Sequence, residues 1–166
     1  MVEHSQEDEP LSESEQSSVA KAPPKLMFFG GTSLDKREVV EIPSRSLAHL
    51  GDAVFHLFER EREIKLTSSV KQMHVRARVS AETQSTLLET ITPHLHEDEL
   101  EIVRRARNVK VSSSRKNQQA TYRRATAFEA LLGYLYLTDA NRLQSVLDLT
   151  LAANGEFGAA PPETTN

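Results

Sequence analysis

Two acidic residues sit beside the apolar stripes of two helices. In "LAHLGDAVFHLF", residues 47–58, Leu47, Leu50, Val54, Leu57 and Phe58 recur at the spacing of one buried helix face. Asp52 places a carboxylate beside that face. Gly51 costs roughly 1 kcal/mol against Ala in a helix interior. In "TAFEALLGYLYL", residues 126–137, Glu129 likewise stands beside the stripe of Phe128, Leu131, Leu132, Leu135 and Tyr136. Two acids from two core helices are raw material for an oxygen-ligand Mg²⁺ site, because Mg²⁺ takes one or two carboxylates and keeps several waters. Such an ion activates water against a phosphodiester and stabilises the leaving oxygen. Spacing alone favours a plainer reading, in which both acids lie at the solvent edges of their helices.

A second chemical feature is basic. Between Arg104 and Arg124 stand eight cations (Arg104, Arg105, Arg107, Lys110, Arg115, Lys116, Arg123 and Arg124) and no acid. Asn108, Asn117, Gln118, Gln119 and Ser112–Ser114 add hydrogen-bonding capacity. Phosphate backbones are held by such mixtures of cations and polar groups. The alternative is a solvated face and loop. The net charge of −4 does not argue against an anionic partner. Six acids against two lysines in residues 1–25 carry much of it, and residues 26–155 stand at about +2. Histidines 94 and 96, in "HLHEDE", read as a loop and helix start rather than a metal site.

The elements that must position these residues read as helices. Residues 1–25, rich in Ser, Glu, Gln and Pro, predict a disordered acidic tail. Residues 26–44 are a poorly defined segment with one possible extended piece. A domain follows over 45–152, and 153–166 is a flexible tail. Within the domain the periodicity predicts helices over about 45–63, 67–90, 96–107, 120–138 and 140–152. The second carries Val70, Met73, Ala77, Ala81, Leu88 and Ile91 and ends before Pro93. The third starts with Glu97, Asp98 and Glu99 and ends with Arg104, Arg105 and Arg107, a polarity that suits the helix macrodipole. The fold class is all-α. No apolar run approaches the roughly 20 residues that span a bilayer, there is no cysteine, and the start lacks a signal-peptide pattern. A soluble, cytoplasmic protein is expected.

Three stretches together resemble a known family. "LAHLGDAVFHLFER" resembles the signature helix of the ribonuclease III superfamily, whose core pattern is L-x-x-L-G-D-A-V. "ATAFEALLGYLYL" resembles its partner motif, T-F-E-A-L-[IL]-G. "RARNVK", followed by "KNQQATYRRATAFEALLGYLYL", is similar more narrowly to Mini-ribonuclease III, a dimeric bacterial catalytic domain without an appended double-stranded-RNA-binding domain. The resemblance runs colinearly over about residues 46–151.

That resemblance implies a ribonuclease III-like helical domain in which Asp52 and Glu129 are catalytic and ligate Mg²⁺, with Mn²⁺ as a substitute. Gly51 would let a neighbouring helix approach closely, and a metal would compensate Asp52. Three positions depart from the wider pattern. Ala48 and Thr126 stand where full ribonuclease III carries further acids, and Ala106 replaces the glycine of R-G-R-N. The reduced acid set agrees with the Mini family. The implied function is Mg²⁺-dependent hydrolysis of double-stranded RNA, leaving 5′-phosphates, in maturation of 23S ribosomal RNA precursor. The implied partner is a second copy, with Leu47, Leu50 and Val54 divided between the subunit core and that copy. Without a separate binding domain, RNA would be held by Arg104, Arg105, Arg107, Asn108, Lys110, Arg115, Lys116, Asn117 and Arg123. The rival reading is an inactive ribonuclease III-fold module that binds RNA in ribosome assembly; the presence of both acids speaks for the enzyme.

Overall fold

The apolar stripes form helices in a computed structural model of the chain, which describes residues 33–68, 72–108 and 116–153. The elements are α1 (Lys36–Val40), α2 (Ser44–Thr67), α3 (Gln72–Arg78), α4 (Ala81–Ile91), α5 (Glu97–Arg107), α6 (Lys116–Thr138) and α7 (Ala140–Ala153). A 3-10 turn, Thr92–His94, joins α4 to α5, and no strand occurs among the described residues. The fold is all-α, as expected. Tail 1–25 and residues 154–166 lie outside the described residues.

Helix α6 is the axis, with α2, α4 and α5 packed around it and α7 closing on α4 and α6. Its stripe is buried as the periodicity requires: Phe128, Leu131 and Leu132 are fully enclosed and Leu135 nearly so. Phe128 meets Phe55 of α2 edge to face, with ring centroids 5.0 Å apart, an arrangement that suits the ring quadrupoles. Burying each such side chain contributes about 1.5–3 kcal/mol.

The helix expected over 67–90 is two helices. Ser80 has extended backbone and its Oγ accepts from the Thr83 amide at 3.3 Å, which starts a new helix at Ala81. A side-chain oxygen that satisfies an orphan amide makes such a break favourable. Leu88 and Ile91 are buried as expected, whereas Ala77, read as part of the same stripe, is exposed. Val70 lies outside the described residues.

The segment before residue 45 also contributes more than expected. Asp35 and Glu38 form a capping box that starts α1, and Val39 is completely buried in the main core. The extended piece proposed for 26–44 is replaced, where described, by this short helix. On α2, Leu47 and Val54 belong to the subunit core, and it is Leu57 that stands out, 56 % exposed. No described helix is long and apolar enough to cross a membrane.

The second half of α2 buries charge. Glu59 and Glu63, both 1 % exposed, receive the guanidinium of Arg78 from α3, through Nε to Glu59 and through Nη2 to Glu63 Oε2 at 2.7 Å. Arg62 Nη1 adds a 3.0 Å contact to Glu59, and His74 Nδ1 lies 3.2 Å from Glu63. The Arg78 hydrogen bond holds the Glu63 carboxyl below the usual carboxylate range. This network ties α3 to α2; Glu59 and Arg62 continue the register of the buried Phe55 at i+4 and i+7, so the charges stand on the inward side of the helix.

Candidate active site

Gly51 and Gly133 explain each other. A Cβ on Gly51 would stand 1.7 Å from the carbonyl oxygen of Glu129, and one on Gly133 would stand 2.1 Å from that of Leu47. Helices α2 and α6 therefore cross backbone on backbone, a separation that only glycine allows. The glycine that precedes Asp52 in sequence touches the main chain of Glu129 itself. The crossing brings the two anomalous acids to one place, although they stand far apart along the chain.

The two carboxyls are not equivalent. The Asp52 side chain is 46 % exposed, and His56, one turn along α2, holds its Nε2 3.4 Å from Asp52 Oδ1. Glu129 is half-buried between α2 and α4. Burial first, and then the negative charge of Asp52, push its pKa up to about 7, against which a hydrogen bond from Gln84 of α4 acts. A raised carboxyl at a like-charge pair is what an uncompensated binding site for a cation produces. All the donors are oxygens, which suits a hard ion. Among the described residues no set of three His, Asp or Glu side chains converges on a metal. Ala48, buried one turn before Asp52, and Thr126, half-buried one turn before Glu129, add no acid. The residues present thus fit Mg²⁺ held by two carboxylates and mostly by water.

The basic residues divide. Arg107, Asn108 and Arg123 are exposed, and with Arg104, Ala120 and Arg124 they line an open cleft of about 470 Å³ between α5 and α6. Arg104 also pairs with Glu97 at 2.7 Å and Glu101 at 2.8 Å, so its charge is partly neutralised. Arg105 is engaged within the domain. Its guanidinium donates to the carbonyls of Val40 and Ile42 and to Ser44 Oγ, pinning the turn after α1 to α5. Those bonds use one N–H on each of its three nitrogens and give it a structural part in the domain. Lys110 and Arg115 lie outside the described residues, and Lys116 and Asn117 are placed by their backbone in the first turn of α6.

The acids and the cleft occupy different sides of α6. At about 100° per residue, Ala120 lies about 180° and Arg123 about 120° around the helix from Glu129. Thr126 and Tyr122, within about 60° of Glu129, lead from the acids toward Arg123, and Tyr122 is 52 % exposed. Sequence reading passed over Tyr122 and Gln84. The signal available for Gln84 was its register: it shares the stripe of Leu88 and Ile91, a polar residue at a core position.

The ribonuclease III domain profile matches residues 45–140. The Mini-ribonuclease 3 of Synechocystis sp. is 42 % identical over 117 residues, covering 69 % of this chain and 82 % of the relative. That of Gloeobacter violaceus is 40 % identical over 118 residues, 70 % of this chain and 87 % of the relative. The chain belongs to the Mini-ribonuclease 3 family. A Mini-ribonuclease 3 from Clostridium tetani is 33 % identical over 130 residues, 75 % of this chain and 86 % of the relative. A crystal structure of a Fusobacterium nucleatum protein superposes with a TM-score of 0.60 at 27 % identity, covering 68 % of this chain and 95 % of that one. Membership in the Mini-ribonuclease 3 family makes this protein an endoribonuclease of the ribonuclease III type, and its Gly-Asp and Glu-x-x-x-Gly motifs are the two sides of one helix crossing.

Proposed function

We propose that this endoribonuclease hydrolyses double-stranded RNA in a Mg²⁺-dependent reaction, working as a cytoplasmic homodimer that matures the ends of 23S ribosomal RNA precursor. The observation that carries the reading is the meeting of Asp52 and Glu129 at the Gly51–Gly133 crossing. When bound, Mg²⁺ supplies the positive charge that activates water and stabilises the leaving oxygen; Mn²⁺ substitutes in the same oxygen set. The chain's own part is to hold that charge. Glu129, the more buried of the two and with its pKa raised, and the more open Asp52 would be the residues that hold such an ion.

The basic segment is the proposed RNA-holding surface of this domain. A-form duplexes are recognised mainly through phosphates and 2′-hydroxyls. Arg107, Asn108 and Arg123 offer exposed donors for them, and Lys110, Arg115, Lys116 and Asn117 continue the same segment. Cutting both strands at one locus calls for two sites related by a two-fold axis. An apolar groove on the subunit supports such a dimer: Val54, Leu57, Phe58, Tyr136, Leu143 and Leu147 line it, and Leu57 is exposed there. Of the residues expected to be divided between core and partner, Leu47 and Val54 are buried in the subunit and Leu50 is half-buried, so our reading assigns the exposed Leu57 to the partner as well. The ribosomal substrate rests on the likeness to the Mini-ribonuclease 3 relatives.

The test is incubation of the purified protein with precursor ribosomal RNA, with and without Mg²⁺, and mapping of new ends. Mg²⁺-dependent 5′-phosphate ends flanking mature 23S RNA are expected. Cleavage that persists under chelation would remove the cation from the reading, and intact 23S precursor beside cleaved generic duplex would remove the substrate.

A further inference from the structure

The basic cleft faces a different side of α6 from Glu129, so a strand seated in the cleft is not thereby held at the acids. The surface around Asp52 supplies donors of its own. At about 100° per residue, Arg45, His49, Asp52, His56 and Arg60 fall within an arc of about 80° on α2. Arg45, His49 and Arg60 are exposed, and the side chains of His56 and Asp52 are 31 % and 46 % exposed. At about 1.5 Å of rise per residue, His49 and His56 stand about 4.5 and 6 Å along the axis from Asp52. Arg45 and Arg60 stand about 10.5 and 12 Å from it. Donors thus flank the acid on both sides along one line.

The other acids of α2 do not cancel that line. Glu59 and Glu63 are buried and take the guanidinium of Arg78. Glu61 lines the apolar groove and pairs with Lys65 at 2.6 Å. Asp52 is the acid left open among the donors. The line also faces away from the groove: Leu57 and Val54 lie about 120° and 180° around α2 from Arg45. A second copy seated on the groove and a ligand on the line therefore approach α2 from different directions.

Two guanidinium groups carry permanent charge and a planar fork that matches phosphate. An imidazole keeps one N–H donor even when neutral. A-form RNA offers phosphates and 2′-hydroxyls in sequence along each strand, which a row of such donors can follow. We propose that this outer face of α2 is a second RNA-holding surface, which grips the backbone of the strand to be cut on either side of Asp52. The inference rests on the duplex-RNA reading given under Proposed function. It assigns the cleft between α5 and α6 to another part of the same duplex.

The test is binding of a duplex RNA to the full chain at several salt concentrations, in the Asp52→Asn background. Arg45→Ala with Arg60→Ala is expected to weaken binding several-fold and to reduce the log–log salt slope by about 0.9 for each phosphate no longer neutralised. Lys65→Ala removes a charge from the groove side of the same helix and should leave affinity and slope unchanged. Melting temperatures near that of the background show that the variants are folded. Should the paired variant fail to fold, Arg60→Gln alone carries the test, with a slope reduced by about 0.9. An unchanged slope in the folded variant, or an equal loss in Lys65→Ala, would overturn the surface on α2 and leave the duplex-RNA reading standing. Absence of duplex binding by the Asp52→Asn protein even at low salt would overturn both.

Discussion

The acid pair and the basic cleft are both built on α6, yet they are made in opposite ways. Asp52 and Glu129 stand at a backbone contact that tolerates no added atom, because Gly51 rests on the carbonyl of Glu129. Arg107, Asn108 and Arg123 stand on an open rim, with space around each. Chemistry on a phosphodiester depends on placing charge to within a fraction of an ångström. Holding a polyanion depends on summed charge, which long flexible side chains supply from many geometries. On the proposed reading the same helix serves a rigid site on one side and an adaptable one on another. Substitutions should accordingly fall into two classes, abrupt at the crossing and graded at the rim.

The largest effect is expected at the open carboxylate. Asp52→Asn keeps the shape of the side chain and removes the charge a hard cation needs. Cleavage should drop below detection while duplex binding and the melting temperature stay near wild type. Near wild-type cleavage by this variant would take Asp52 out of the mechanism. Gly51→Ala should come next. The added methyl meets main chain rather than a movable side chain, so α2 and α6 must part, with a loss of about 3 kcal/mol or more and of activity with it. An alanine variant of full stability would show that the helices can separate freely, and the contrast with the rim would disappear.

Glu129→Gln sharpens the comparison through pH. The folded pKa of Glu129 is raised to about 7 from an ordinary value of 4.5. Its proton therefore stabilises the fold fully below about pH 4.5, and that contribution is lost as pH rises through about 7. Without divalent cation, Glu129→Gln should melt higher than wild type at pH 8, by at most a few kcal/mol of stability, and equal it near pH 4.5. By the same sign, cation affinity of the wild type should rise as pH passes through 7. Calorimetry in chelator at several pH values checks the first statement, and a melting advantage that does not grow with pH would contradict it.

The smallest effect belongs to the rim. Arg107→Ala with Arg123→Ala should weaken duplex binding several-fold and reduce the log–log salt slope by about 0.9 for each phosphate that is no longer neutralised. The turnover number should hardly change, since these groups bind ground and transition states alike. Binding is measured in the Asp52→Asn background. An unchanged slope would move the RNA path along Thr126 and Tyr122, away from the cleft. Arg105→Ala, in contrast, should act on stability, because its guanidinium is bonded to Val40, Ile42 and Ser44.

Much of this was legible in one dimension. The stripe of Phe128, Leu131, Leu132 and Leu135 has the helix period, and period alone determines which side is buried once a core exists. The long helices and the all-α class followed from it. The break at Ser80 was harder to read, because Val75, Leu87 and Leu88 stay apolar on both sides of it while one serine oxygen restarts the helix. Asp52 and Glu129 were conspicuous as acids beside apolar faces and, by spacing alone, ambiguous. Their motifs favour one reading through likeness to a family rather than through physics.

Tertiary structure decided the rest, because burial and pairing depend on what lies across the interface. Nothing near Gly51 in the chain says why it is glycine; the reason is the carbonyl of Glu129, far along the sequence. Glu59 and Glu63 are charges whose partner, Arg78 of α3, only the fold supplies. Arg105 reads as one cation in a basic run, and only the path of the chain after α1 turns it inward. Periodicity and residue type thus determined which helices form and which residues are chemically unusual. Which unusual residues meet, and which cations remain exposed, was fixed by the packing of α2, α4 and α5 about α6.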